Sequence, residues 1–172
     1  MDAMEAIKTR RSVREFTDRD VDDKMTEEII DAGRWAPSGL NNQAWRFIIV
    51  RNKDTKEKLS KLTHYGDIIK KAQVLIVVFL DADAMYDRTK DVQSIGACIQ
   101  NMLLALHSSG LGGVWLGEIL KNKEMVNKVL EAPDSYELMA VVALGYPADK
   151  KRTSKRKGVS DLVFREIFGL RW

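Results

Sequence analysis

The sequence predicts a single domain that mixes α-helices with β-strands, and three observations predict it. Residues 73–80 form an apolar, β-branched run, and residues 137–144 form a second strongly apolar one, as in buried strands. Residues 89–109 carry Val92, Ile95, Gly96, Ile99, Met102, Leu103 and Leu106 at helical spacing, the longest periodic segment of the chain. At 172 residues the chain can bury one sizeable core, and neither a repeat nor a low-complexity linker marks a boundary within it.

Composition narrows the function classes. With 45% hydrophobic and 31% charged residues the chain reads as an ordinary globular protein, and no run approaches the ~18 to 20 apolar residues of a membrane span. No membrane partner is expected. The start, Met1-Asp2-Ala3-Met4-Glu5, is acidic and lacks a signal-peptide core. A lone cysteine, Cys98, forms no internal disulfide, so a reducing cytoplasm is the expected compartment. One cysteine and two histidines argue against a structural zinc site.

The remaining elements follow in order. Residues 2–9 place Ala3, Met4 and Ile7 on one helical face. Residues 22–35 form a second helix, with Asp22 or Asp23 as its cap. Residues 46–51 read as a strand, and 54–62 as a short amphipathic helix with Asn52 or Asp54 near its start. His64 sits in a turn and reads as a plain loop histidine. Residues 68–71 form a brief helical turn. Asp81 and Asp83 lack a third ligand at useful spacing and read as solvated turn residues. Residues 123–130 are helical. Ser94, Gly96, Ala97 and Cys98 put small residues in one turn of the long helix, which permits close helix approach in a core or a dimer. Cys98 has no adjacent histidine to activate it and reads as buried and inert. The tail, residues 160–172, holds Leu162, Val163, Phe164, Ile167, Phe168, Leu170 and Trp172. A tail this apolar must dock on something, and a partner subunit is one solution.

Four stretches carry the functional signal. Arg10-Arg11-Ser12-Val13-Arg14 sets three forked donors and a hydroxyl together, which suits either an oxyanion or a charged surface turn. Pro37-Ser38-Gly39-Leu40-Asn41-Asn42-Gln43 ends a helix at proline and offers a dense set of donors and acceptors. It suits a flat heteroaromatic ligand or a polar helix-to-strand connection. Gly110-Leu111-Gly112-Gly113-Val114-Trp115-Leu116-Gly117 follows the long helix. Its glycines allow either close approach of a ligand or tight helix-to-strand packing, and they lack dinucleotide spacing. Lys150-Lys151-Arg152 and Lys155-Arg156-Lys157 place six basic residues within eight positions after Gly145-Tyr146-Pro147. They can meet one phosphate or a nucleic acid. The basic stretch lacks interleaved aromatics, so an anion- or nucleic-acid-binding protein using residues 150–157 is the lesser alternative and no nucleic-acid partner is expected.

In this order and at this spacing the four stretches resemble the FMN-dependent nitroreductase family, of the short single-domain type. The resemblance implies an α+β fold, a three-layer α/β/α arrangement with a mixed, mainly antiparallel central sheet and a long central helix. It implies one FMN-binding domain over residues 1–172 and a homodimer that exchanges its C-terminal tail. Arg10, Ser12 and Arg11 would then meet the phosphate, and Arg14 the ribityl or pyrimidine end. Arg156, with Lys155, would complete the phosphate cage. Pro37, Ser38 and Gly39 of the other subunit would face the ring, Asn41 and Gln43 would shape its pocket, and Leu116 and Gly117 would lie beside the reactive nitrogen. No catalytic side chain and no metal is expected, because the flavin carries the chemistry.

The implied activity is NAD(P)H-dependent reduction of a nitroaromatic, quinone or related small acceptor by alternate binding at one face. Enone reduction, reductive dehalogenation and flavin breakdown are alternatives on the same fold. Three positions depart from the family pattern. Ala44 stands where proline is common, Gly39 where serine is frequent, and Gly158 where proline often follows the basic pair.

Overall fold

A computed structural model describes residues 1–148 and 153–172. Of the basic stretch, Lys150, Lys151 and Arg152 therefore lie outside the described residues. The helices are α1 (Ala3–Thr9), α2 (Asp23–Arg34), α3 (Lys53–Ser60), α4 (Gly66–Lys71), α5 (Arg88–Ser108) and α6 (Lys123–Leu130). The strands are β1 (Trp45–Val50), β2 (Val74–Asp81), β3 (Gly112–Leu116) and β4 (Tyr136–Gly145). They form one sheet in the order β1-β2-β4-β3, antiparallel at every pairing.

The sheet explains its own sequence. Every residue of β2 is buried because helices cover both faces. Val74, Ile76, Val78 and Leu80 point into one core with Ala140, Val142 and Leu144 of β4, against Ile29 of α2 and Ile95, Ile99 and Met102 of α5. Leu75, Val77 and Phe79 point into the other with Val141 and Ala143, against Leu59 of α3, Ile69 of α4 and Val126 of α6. The result is the expected three-layer α/β/α arrangement of an α+β fold. A bulge lies where Val78 pairs with Ala140 and Phe79 with Leu138. The extra residue, Met139, switches the side-chain parity of β4 and puts Leu138 on the second face.

Caps decide the helix starts. Asp22 accepts from the Met25 amide at 2.7 Å and Asn52 from the Thr55 amide at 3.0 Å, which settles the two capping alternatives. Asp87 caps α5 through the Lys90 amide at 3.0 Å. Gly110, at φ +74°, turns the chain out of α5. Gly33 is where α2 crosses α5: a side chain there would meet Met102 Cγ at 2.7 Å and Cys98 Sγ at 3.1 Å. This is the close approach that the small residues of α5 allow.

One strand was not legible. Residues 112–116, whose glycines suit either close approach of a ligand or tight helix-to-strand packing, form the edge strand β3 on β4. A side chain at Gly113 would meet Leu106 of α5 at 2.6 Å and the Ala143 carbonyl at 3.3 Å. Helix-to-strand packing therefore accounts for Gly113. Among the described residues beyond β4, the tail adds no strand to the sheet. Phe168 and Trp172 are 90% and 71% exposed, and Phe164 packs on Phe168 with ring centroids 4.5 Å apart.

Candidate cofactor site

The arginine cluster is built by the edge of the sheet. α1 ends at Thr9, and the chain extends so that the Val13 amide donates to the Gly113 carbonyl at 3.0 Å. Gly112 makes room for this, since any side chain there would meet Val13 Cγ2 at 2.5 Å. Farther on, Phe16 bridges to Pro147, Thr17 donates to the Tyr146 carbonyl at 2.9 Å and Ala148 donates to Glu15 at 3.0 Å. The start of the chain is thus stitched to the segment that leads to Arg156.

The electrostatics of this cluster are those of crowded positive charge. The Arg10 guanidinium is held below its ordinary pKa by burial, then by Arg156 and then by Arg11. Among the described residues no carboxylate pairs with Arg10, Arg11, Arg14, Lys155 or Arg156. Arg11 donates from Nη1 to the Lys8 and Arg10 carbonyls, at 2.8 Å each, while its buried Nε has no partner. Arg156 donates to the Lys155 carbonyl at 2.9 Å. Ser12 is half-buried and Arg14 exposed.

His107 of α5 lies within electrostatic reach of Arg10 and Arg11. Thr9 Oγ1 lies 2.6 Å from the Glu5 carbonyl and 2.8 Å from His107 Nε2. A hydroxyl has one proton, and the carbonyl can only accept it, so His107 carries its own proton on Nε2 and donates to Thr9. Burial, then Arg10 and Arg11, lowers the His107 pKa against an opposing pull from Glu5. Two partly buried arginines, Arg10 and Arg11, with the exposed Arg156 and no paired carboxylate among the described residues, plus an orphaned guanidinium nitrogen, fit a phosphate of about two negative charges.

The ring-facing candidates occupy the opposite end of α5. Ser38 Oγ accepts from the Gln43 amide at 3.1 Å, and Gln43 Nε2 donates to the Asn41 carbonyl at 3.2 Å. Leu40, Asn41 and Gln43 all have positive φ, 54°, 55° and 49°. Pro37 is exposed. Gly39 packs so closely under Tyr86 that a side chain would meet Cδ1 at 2.9 Å. A serine at this position would require Tyr86 to move. Ala44, in place of proline, is buried and accepts from the Asp81 amide at 2.8 Å.

At the end of β3, Leu116 is buried, and Gly117 is open with nothing within 4 Å of a would-be side chain. Glu118 follows. It pairs with Lys121 and accepts from Thr63 Oγ1 at 2.6 Å and from the His64 amide at 3.0 Å. The Lys121 ammonium, then Thr63, then the His64 amide hold its pKa at about 2. His64 is thus a loop histidine whose backbone is used. Asp81 pairs with Arg46 at 2.7 Å.

Comparison with known proteins gives the family and the fold. A model of the nitroreductase family matches residues 7–66 and 60–146. The chain belongs to the nitroreductase family. A provisionally named nitroreductase from Desulfovibrio desulfuricans, solved in complex with FMN, is 42% identical with a TM-score of 0.92, and the match covers 98% of this chain and 99% of that one. A protein from Methanothermobacter thermautotrophicus, provisionally named NADH dehydrogenase/NAD(P)H nitroreductase, is 38% identical over 89% of this chain and 81% of its own. A Bacillus subtilis protein named FMN reductase [NAD(P)H] is 26% identical over 90% of this chain and 70% of its own.

Within this nitroreductase-family chain the structure brings Arg10, Arg11 and Arg156 together. It sets the loop of Ser38, Gly39, Asn41 and Gln43 elsewhere, at the start of α5. Two residues of these surroundings escaped the sequence, His107 and Asp91, while Asn42 showed only as one polar member of the loop. His107 follows a helical stripe and carries no motif. Asp91 lies in the polar first turn of α5, where an acidic residue is expected for helix-dipole reasons alone.

Proposed function

We propose that the chain is an FMN-dependent NAD(P)H oxidoreductase that passes electrons to a small acceptor such as a nitroaromatic or quinone. The observation that carries the reading is the convergence of Arg10, Arg11 and Arg156 without a carboxylate partner among the described residues. Bound FMN supplies the hydride chemistry. Arg10, Arg11 and Arg156 neutralise its phosphate, Ser12 adds a hydroxyl, and Lys155 and Arg14 flank the cage. The chain's own task is to bind, orient and keep water from the ring.

The same geometry favours a homodimer. Asn42 is tied to Asp91 at the start of α5, and Thr9 to His107 near its end. At ~1.5 Å per residue these anchors are roughly 24 Å apart, so the ring-facing loop meeting a given phosphate cage belongs to the second subunit. Pro37, Ser38, Gly39, Asn41 and Gln43 then reach the cofactor across the interface, and Leu116 and Gly117 present backbone beside it. The exposed Phe168 and Trp172 of the tail dock on the partner. NAD(P)H and acceptor use one open face in turn, a ping-pong order. The cytoplasm is the compartment that suits both this donor and a lone thiol.

The purified protein is expected to be yellow, to bleach with NADH or NADPH, and to recover its colour with a nitroaromatic or a quinone. A colourless protein that takes up no added FMN would overturn the reading.

A further inference from the structure

A buried carboxylate that the proposed chemistry does not use holds the ring-facing loop. Asp91, 1% exposed, accepts on Oδ1 from Asn42 Nδ2 at 2.8 Å, and on Oδ2 from the Tyr86 and Asp87 amides at 2.8 and 3.0 Å. Asn42 Nδ2 also donates to the Ala84 carbonyl at 3.1 Å. Among the described residues no cation forms an ion pair with Asp91. Its charge is carried by three N–H donors, one of which comes from the loop.

The loop needs this support. Left-handed backbone costs a non-glycine residue about 1 to 2 kcal/mol, and three such residues, Leu40, Asn41 and Gln43, stand here within four positions. Within the loop, the Asn41 and Asn42 amides donate to Ser38 and Gly39, and Gln43 to Ser38 Oγ. Only Asn42 reaches the carboxylate. The same carboxylate holds the amide of Tyr86, the residue that covers Gly39. One group therefore fixes both the loop and the aromatic wall above it.

We propose that Asp91 and Asn42 are positioning residues that set the ring-facing loop and so govern electron transfer to the acceptor. The inference rests on the flavin reading. It separates two ends of one site: the arginines set how tightly FMN is held, and the Asp91–Asn42 latch sets how well the held ring reacts.

Asp91→Asn isolates the latch. The substitution keeps an oxygen for the two backbone amides but turns an amide nitrogen toward Asn42 Nδ2, donor against donor. Turning the Asn42 amide over would set its oxygen against the Ala84 carbonyl. Asn42→Ala removes the latch from the other side.

The test compares the FMN-loaded wild type with Asp91→Asn, Asn42→Ala and the double variant. Both single variants should bind FMN within about threefold of wild type. Their bound-flavin absorption and circular dichroism should change shape, and kcat/KM for a nitroaromatic should fall about 10- to 100-fold, the range for displaced reacting groups. The double variant should be no worse than the worse single one, since both break the same bond. Variants that keep the wild-type flavin spectrum and acceptor kinetics would overturn the inference, even with a lowered Tm. So would losses that multiply in the double variant. Should Asp91→Asn fail to fold, Asn42→Ala decides the matter alone. A wild type that takes up no FMN overturns the flavin reading itself, a result distinct from FMN-bound variants that behave as wild type.

Discussion

Arg156 lies close enough to Arg10 to lower the Arg10 guanidinium pKa, although the whole sheet separates the two in sequence. Bringing like charges together in a partly desolvated place is unfavourable unless an anion is meant to sit between them. The contacts of residues 13–17 with Gly113, Tyr146 and Pro147 tie the segment that follows Arg10 to β3 and to the end of β4. The fold thus spends backbone hydrogen bonds on assembling a cation cluster.

Gly112→Ala tests that scaffold. The new methyl group would press on Val13 Cβ at 2.7 Å and Cγ2 at 2.5 Å. Relief requires the segment carrying Arg10 and Ser12 to leave β3. Overpacking of this kind costs about 1 to 3 kcal/mol. Urea unfolding should show the loss, and FMN affinity should fall with it. Full stability with unchanged affinity would show that the segment is not held as described.

Much of this was legible beforehand, for identifiable reasons. β2 and β4 declared themselves because strands covered on both faces become unbroken apolar runs. α5 did so through its stripe. β3 was hidden because Gly112 and Gly113, required for packing against Val13 and Leu106, carry no strand propensity. The arginines showed as a motif, but their convergence with Arg156 is a long-range contact that no local pattern encodes. The Asp91–Asn42 bond is hidden for the same reason: each residue has an adequate local explanation, as first-turn acid and loop amide.

Glu118 gives a pH dependence. Lys121, Thr63 and the His64 amide hold its pKa at about 2, below the unfolded value of ~4.3. A depressed carboxyl stabilises the fold fully above the unfolded value, and loses that contribution as pH falls toward the folded one. The urea midpoint of the wild type should therefore drop more between pH 7 and pH 3 than that of Glu118→Gln. Parallel losses in the two proteins would refute the assignment.

Cys98 should be silent. It is fully buried against α2, and burial pushes its thiol up to about 12. A thiol reagent at pH 8 should leave the native protein unlabelled and modify one site once it is unfolded. Rapid labelling of the native protein would contradict the packing at Gly33.

The tail should control assembly. Phe168 and Trp172 expose large apolar surfaces on a single chain. Light scattering should give a dimer for the wild type and a shift to monomer for Phe168→Ser with Trp172→Ser. A dimer of unchanged stability in the double variant would place the interface elsewhere.

The phosphate cage is tested most directly by titrating the protein with FMN and, separately, with riboflavin, which lacks the phosphate. Each charge-assisted hydrogen bond contributes about 1.5 to 3 kcal/mol, so several should favour FMN at least about 100-fold. Arg10→Ala should narrow that preference by roughly 10-fold or more while leaving riboflavin affinity unchanged. Equal affinity of the wild type for the two flavins would contradict the account.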